Sequence, residues 1–149
     1  MSYPKFTDCE ESITNGDLDA AEVSMGIALP YDLREHYLKY NGGLPVKNGF
    51  PFESRIYEVR WFYPVKFGML DDPDETLEGS YNLVSDALPE GLIPFCDDSA
   101  GNMYCYSTAK PTMHAICYWN HELYKEPNRG VKVIASSLQA FLEGLVKRR

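Results

Sequence analysis

Two aspartates and an asparagine follow an apolar segment in the middle of the chain, and these residue types bind cations or other proteins. The segment ends at Pro94-Phe95-Cys96, the turn reads Asp97-Asp98-Ser99-Ala100-Gly101-Asn102, and a β-rich run covers Met103 to Ser107. Carboxylate and amide oxygens suit Ca²⁺. The turn, however, lacks the spacing and the bidentate glutamate of an EF-hand, and Asp and Asn are common turn residues. We therefore predict a charged turn without a metal, which favours recognition over chemistry.

The three histidines of the chain, His36, His114 and His121, form no recognisable catalytic motif. His121-Glu122 lacks the second histidine, four residues after the first, that a zinc-protease helix needs. A nucleophile elbow, a P-loop and a dinucleotide fingerprint are also missing. Helical spacing places His36 on an exposed face, and we interpret His121, beside Trp119, as a polar residue at a strand end. A catalytic Cys–His pair remains possible, because sequence does not show which residues are close in space. Apart from that, we expect a protein that is not an enzyme and has no cofactor.

The four cysteines are expected to be free thiols. Cys9, Cys96, Cys105 and Cys117 form no Cys-x-x-Cys pair, and their spacing suits no zinc site. The last three lie in apolar or aromatic surroundings, where a free cysteine behaves as a small hydrophobic residue. Free thiols are typical of a reducing compartment, and the N-terminus lacks the apolar stretch of a signal peptide. We therefore predict a cytoplasmic protein.

The densest charge of the chain lies in residues 71–78. It comes from five acids with no basic residue among them: Asp71, Asp72, Asp74, Glu75 and Glu78. Three interpretations stay open. The acids mark the solvated start of a helix, whose positive end they favour; they form a docking surface for Lys and Arg of another protein; or they mimic phosphates and occupy a nuclease cleft. Crowded like charges cost folding energy unless salt or a partner relieves them.

Aromatic residues at positions 61–63 are candidates for an interface. Trp61 and Tyr63 alternate with Phe62 on a predicted strand, and one face of that strand must be core. An aromatic side chain that faces outward beside the acids would anchor a protein–protein contact.

Size and charge limit the class of protein further. The chain has 149 residues, which predicts a single domain over residues 1–149. Its formal net charge of −8 argues against direct binding to nucleic acid or to anionic membranes, because both need a basic surface. The same charge steers the approach of a basic partner. No apolar run reaches the ~18 residues of a membrane-spanning helix.

Apolar residues recur at helical spacing in four segments. Their positions are, in chain order, Leu18, Ala21 and Met25; Leu33, Tyr37 and Tyr40; Leu77, Tyr81, Val84 and Leu88; and Leu138, Phe141, Leu142 and Leu145. Gly26 is expected to end the first helix, and Asn41-Gly42-Gly43 the second. Asp72 or Asp74 is expected to cap the third helix, and Ser136 the fourth.

Strands are predicted from runs of β-branched and aromatic residues. They cover Arg55–Tyr63, Met103–Ser107, His114–Trp119 and Val131–Ala135. With the second connection centred near Pro111, Cys105 lies opposite Cys117. The same register places Tyr104 opposite Tyr118. The order of elements is helices, strands, helix, strands, helix, which indicates an α+β fold rather than regular βα alternation.

A set of short motifs, each present once, is distributed in order along nearly the whole chain. They are Gly26-Ile27-Ala28-Leu29-Pro30; Tyr40-Asn41-Gly42-Gly43 with Pro45; Leu88-Pro89-Glu90-Gly91-Leu92-Ile93-Pro94-Phe95; Gly101-Asn102; Trp119-Asn120-His121-Glu122; and Ile134-Ala135-Ser136-Ser137-Leu138 with Phe141-Leu142. This ordered set resembles the SUKH superfamily, which includes fungal cell-wall-assembly regulators and many bacterial immunity proteins. The resemblance implies a central, mainly antiparallel sheet with helices packed around it.

The resemblance also implies a protein partner, because bacterial members neutralise a toxin, often a nuclease, made by the same cell or delivered by its kin. We therefore expect an immunity protein that blocks a basic cognate toxin by steric and electrostatic occlusion. The alternative is a non-catalytic adaptor or regulatory domain that binds an endogenous protein. The residues predicted to bind the partner are Trp61, Tyr63, Asp71, Asp72, Asp74, Glu75, Glu78, Asp97, Asp98, Trp119 and His121.

Overall fold

The structure, a computed structural model, describes residues 3–68, 75–126 and 129–148. The helices are α1 (Asn15–Met25), α2 (Tyr31–Lys39), α3 (Leu77–Val84) and α4 (Leu138–Glu143). The strands are β1 (Phe6–Thr7), β2 (Leu44–Pro45), β3 (Gly49–Phe52), β4 (Arg55–Glu58), β5 (Trp61–Phe62), β6 (Leu92–Asp97), β7 (Met103–Ser107), β8 (Ile116–Trp119) and β9 (Val131–Ala135). A short 3₁₀ helix, His121–Leu123, follows β8.

A five-stranded antiparallel sheet in the order β5-β6-β7-β8-β9 forms the centre of the fold, and two-stranded sheets join β1 with β2 and β3 with β4. The α+β class with a central antiparallel sheet is therefore confirmed. The predicted register of β7 and β8 is also confirmed, because Cys105 pairs with Cys117 and Tyr104 with Tyr118. Alternation along β7 then sends Tyr104 and Cys105 to opposite faces of the sheet.

The helices cover one face of this sheet, where α3 packs on β6 and α4 on β9. The main core lies between them and contains Phe95, Tyr104 and Phe141, all fully buried. A smaller apolar cluster on the other face consists of Leu88, Leu92, Cys105, Cys117 and Trp119. Strands β6, β7 and β8 are therefore largely buried on both faces, whereas Lys132 and Val133 of β9 are exposed. No helix in the described ranges is long and apolar enough to cross a bilayer.

Helix α1 forms as its sequence predicts. Thr14 and Asp17 make a reciprocal capping box at its start, and Gly26 closes its end in the left-handed conformation. Leu18, Ala21 and Met25 are its buried residues.

Helix α2 corrects the prediction for His36, which is only 2% exposed. The N-terminal segment covers this side of the helix: the Phe6 ring lies 5.1 Å from the imidazole between centroids, and the Tyr3 ring stacks on it at 5.8 Å. Helical periodicity identifies the face that meets the sheet, and it does not show that a second segment of the chain covers a neighbouring face.

The predicted strand Arg55–Tyr63 is wrong as a single element. Strand β4 pairs with β3 in a hairpin, whereas β5 pairs with β6 in the central sheet. The chain changes sheets at Val59 and Arg60, which donate their N–H groups to Asn48 O and Asp97 O. Because both parts are rich in β-forming residues, composition alone does not show the break.

Two helix caps also differ from the predictions. Helix α3 begins at Leu77 and is capped by the Thr76 hydroxyl, which accepts the Gly79 N–H, so neither Asp72 nor Asp74 is its cap. Helix α4 is capped by Ser137, whose Oγ accepts the Ala140 N–H at 3.0 Å, rather than by Ser136. Adjacent hydroxyl residues have the same capping propensity, so the backbone conformation decides which one caps.

Candidate partner-binding surface

The turn between β6 and β7 is built around the Asp98 carboxylate. Its Oδ1 accepts the backbone N–H groups of Ala100 and Asn102 at 2.9 and 3.0 Å, and its Oδ2 accepts the Tyr118 hydroxyl at 2.6 Å. Asp98 is 7% exposed. A buried carboxylate that satisfies donors of its own turn organises the backbone, and it is not free to bind a cation or a partner's ammonium group.

Asn102 connects this turn to the 3₁₀ helix. Its Oδ1 accepts the backbone N–H of His121 at 3.2 Å and lies 2.9 Å from His121 Nδ1. Trp119, the last residue of β8, is buried and donates its indole N–H to Arg129 O at 3.0 Å. The structure therefore brings Asp98 and His121 into one network, with His121 half-buried at its surface and Trp119 inside the sheet.

Asp97, the last residue of β6, bonds to residues on either side of β5 rather than to the turn. Its Oδ2 accepts an N–H of Arg60 at 2.9 Å and the Tyr63 hydroxyl at 3.3 Å. Burial raises the pKa of the Asp97 carboxyl to about 6, because desolvation outweighs the opposing effect of the Arg60 charge. Its Oδ1 is buried and has no hydrogen-bond partner in the described part of the chain.

Glu58 joins strand β4 to the same turn, a contact that the sequence did not indicate. The Ser99 N–H donates to Glu58 Oε1 at 3.0 Å, and the Ser99 hydroxyl donates to Oε2 at 2.7 Å. Because 41 residues separate the two, no local pattern reveals the pair. With it, the β3–β4 hairpin holds the turn in addition to Tyr118.

The acidic cluster is described in part. Asp71, Asp72 and Asp74 lie outside the described residues. Glu78 Oε2 accepts the Lys66 N–H at 2.9 Å. Across residues 3–68, 75–126 and 129–148, neither Glu75 nor Glu78 forms an ion pair. The other oxygen of Glu78, Oε1, is buried, so this carboxylate is committed to its own chain. Glu75 is half-buried and is the described acid of the cluster that a partner's cation could reach.

The aromatic residues of 61–63 divide differently from a simple alternation. Phe62 is fully buried, Trp61 is half-buried, and Tyr63 is only 4% exposed. Tyr63 lies beyond the end of β5 and turns inward, where its carbonyl accepts the Tyr37 hydroxyl at 2.7 Å. Trp61 and Tyr63 are both predicted as interface anchors, and of these two only Trp61 has a partly exposed side chain.

No hydrogen bond joins a cysteine to a histidine in the described residues, so the structure gives no support to a Cys–His pair. Hydrogen bonds join His36 to Tyr3, His114 to Tyr106 and His121 to Asn102. All four cysteines are free, and three are buried. Burial raises the pKa of the Cys117 thiol to about 11 and that of Cys96 and Cys105 well above the ordinary value, so these thiols are not nucleophiles at neutral pH.

Metal and ligand sites give little further support to a chemical role. Within the residues that the structure describes, no three His, Cys, Asp or Glu side chains come together to hold a metal. A cavity of about 520 Å³ lies between the N-terminal segment, α2 and α4. None of the predicted partner-binding residues lines it, and His36 at its wall already bonds to Tyr3.

Comparison with known proteins places these observations in a family context. The sequence model described as SMI1 / KNR4 family (SUKH-1) matches residues 12–144, a range that contains every element from α1 to α4. The chain is 28% identical over 148 residues to the SPbeta prophage-derived uncharacterized protein YokK of Bacillus subtilis (strain 168). That similarity covers 89% of this chain and 74% of the relative.

Proposed function

The chain belongs to the SMI1/KNR4 family (SUKH-1), and from this membership we propose that it is an immunity protein that binds and neutralises a cognate bacterial toxin. The family match is the observation that carries the proposal. The toxin would be a basic protein, most simply a nuclease, and the chain would block it by steric and electrostatic occlusion without a reaction of its own. The whole chain, residues 1–149, would act as one domain in the cytoplasm, where thiols stay free.

The charge of the molecule supports a basic partner. Net charge is −8, and Glu75 forms no ion pair within the described ranges. A nuclease domain carries Lys and Arg to bind phosphates, and the same groups attract an acidic inhibitor. We propose that Asp71, Asp72 and Asp74 extend this acidic surface.

The remaining predicted residues divide into two roles in this proposal. Trp61 and His121 keep exposed surface and would contact the toxin. Tyr63, Asp97, Asp98 and Trp119 are buried or internally bonded, and they would hold the surface in shape. A preorganised surface loses little conformational entropy on binding, which favours tight association.

A co-expression experiment tests the proposal. Each protein encoded beside this gene is expressed alone and together with the chain, and growth and co-purification are measured. We expect one neighbour to stop growth alone, to permit growth with the chain, and to co-purify with it. An empty vector is the control for the rescue.

The opposite result is equally clear. If no neighbouring product is toxic, or if the chain binds a toxic neighbour without restoring growth, the immunity function is wrong. Co-purification with an endogenous, non-toxic protein would instead support the adaptor or regulatory domain that is the alternative.

A further inference from the structure

A small basic cavity lies beside the β6–β7 turn, in a molecule that is acidic overall. Its volume is about 220 Å³, and it opens where the β3–β4 hairpin meets strands β8 and β9. It is lined by Arg55, Tyr57, Asn102, Tyr118, Asn120, Leu123, Gly130 and Lys132. The lining contains two cations and no carboxylate, so its chemistry is opposite to that of the molecule as a whole.

Arg55 is held in place by an aromatic ring. Its Cζ lies 4.0 Å from the centroid of the Tyr57 ring, and no carboxylate pairs with it in the described part of the chain. Stacking occupies the face of a guanidinium and leaves the N–H groups at its edge for an acceptor. The guanidinium is therefore both oriented and unpaired.

Lys132 supplies the second charge. Its Nζ lies 3.2 Å from the Tyr57 hydroxyl and 3.6 Å from Glu53 Oε1. The hydrogen bond to Tyr57 raises the pKa of Lys132, so the amine stays protonated at neutral pH. Glu53 offsets one of the two positive charges, which leaves a single net positive charge on this group of three side chains.

Two amides add neutral donors to the lining. Asn120 Oδ1 accepts the Glu122 N–H at 3.1 Å, and Asn102 Oδ1 accepts the His121 N–H. Their oxygens are thus committed, and the amide nitrogens are left as donors. In the described residues, Asn120 Nδ2 donates to no acceptor, whereas the Asn102 side chain makes a long bond of 3.4 Å from Nδ2 to Asp98 and also interacts with the Tyr118 hydroxyl. Asn120 is therefore the freer donor of the two.

We propose that this cavity binds the carboxylate of an aspartate or glutamate side chain on a protein partner. A guanidinium edge matches the two oxygens of a carboxylate. The cavity is smaller than the ~300 Å³ lower limit of sites for drug-sized ligands, and it suits one side chain. A single net positive charge, with the Asp98 carboxylate behind Tyr118, matches a monoanion better than a phosphate dianion.

The inference rests on the proposed function only in taking the partner to be a protein. The acidic surface steers a basic partner from a distance. This cavity would bind one acidic side chain of the docked partner and thereby fix the orientation of the two proteins. Leu123, 44% exposed at the cavity wall, offers an apolar contact to the methylene groups of that residue.

A titration of the ¹⁵N-labelled protein tests the inference with a defined probe. N-acetylglutamate α-methylamide, which carries only the side-chain carboxylate, is compared with its neutral glutamine analogue and with inorganic phosphate. We expect saturable shifts of the Asn102 and Asn120 amide signals and of Arg55 Nε–H with the carboxylate alone. Arg55→Gln and Lys132→Gln each weaken this binding about tenfold, because each removes a charged hydrogen-bond donor.

Lys39→Gln is the matched control, because Lys39 also lies over a tyrosine ring, at 4.5 Å from the Tyr3 centroid, but outside this cavity. It should leave the affinity unchanged. Equal shifts from the glutamine analogue, tighter binding of phosphate, or no saturable shift would each overturn the inference. If Arg55→Gln lost the dispersed spectrum of a folded protein, Lys132→Gln would decide the question. None of these outcomes depends on growth rescue, so the proposed function stands or fails separately.

Discussion

At the scale of single residues, burial of titratable groups sets how this protein responds to pH. Among the described residues, His36 and Asp97 have large pKa shifts within the acidic range that unfolding experiments reach. Burial lowers the pKa of His36 from 6.5 to about 3, with Lys39 adding to the effect, and raises that of Asp97 from 3.8 to about 6. The two shifts have opposite consequences for stability.

Replacing His36 by Phe should flatten the acid loss of stability. Below pH 6.5 His36 is protonated in the unfolded chain, whereas in the folded chain it stays neutral down to about pH 3. Acidification therefore favours unfolding between these two pH values. Between pH 7.5 and pH 5 we expect the wild type to lose about 2 kcal/mol of unfolding free energy through this residue. The His36→Phe variant should not show this loss. Urea denaturation at both pH values measures it, and equal losses in the two proteins would contradict it.

Replacing Asp97 by Asn should have the opposite sign. The folded chain holds a proton on Asp97 up to about pH 6, whereas the unfolded chain releases it near 3.8. Acidification from pH 7.5 to pH 5 therefore stabilises the wild type through this residue, by about 1 kcal/mol. Asp97→Asn removes that gain. If its unfolding free energy followed the same pH curve as the wild type, the pKa of Asp97 would not be raised in the folded protein.

At the scale of elements, the clearest test concerns the start of α4. Ser137 caps the helix through the Ala140 N–H, and Ser136 is exposed. We expect Ser137→Ala to lower the free energy of unfolding by about 1 kcal/mol, and Ser136→Ala, the matched control, to change it little. Thermal or urea unfolding of both variants measures the difference. A larger loss of unfolding free energy from Ser136→Ala would show that Ser136 is the cap, as the sequence predicts.

At the scale of the whole molecule, the net charge of −8 predicts that the association rate with a basic partner depends on salt. If the proposed toxin is the partner, changing Asp72 and Glu75 to Lys should slow its association about tenfold at low salt, and raised salt should shrink the difference. Glu10 and Glu11 are exposed acids on the N-terminal side of α1, and their double Lys variant changes net charge equally. Stopped-flow association distinguishes the pairs. Equal slowing by both would mean that overall charge, and not the acidic cluster, steers the partner.

The sequence by itself determined much of the local structure. The spacing of Leu18, Ala21 and Met25 predicts α1, and the pairing of Cys105 with Cys117 follows from a hairpin centred near Pro111. These features depend on neighbours within a few turns or one connection, so propensity and periodicity contain the information. The ordered motifs extend this to the family and to the α+β fold.

Only the tertiary structure decided which polar groups are buried and which remain free. His36 is buried because the N-terminal segment crosses α2, and Asp98 is internal because Tyr118 reaches it from another strand. The basic cavity joins Arg55 with Lys132 from separate sheets. Solvation and hydrogen bonding of a side chain depend on residues that are distant in sequence, and single-chain patterns do not specify those contacts.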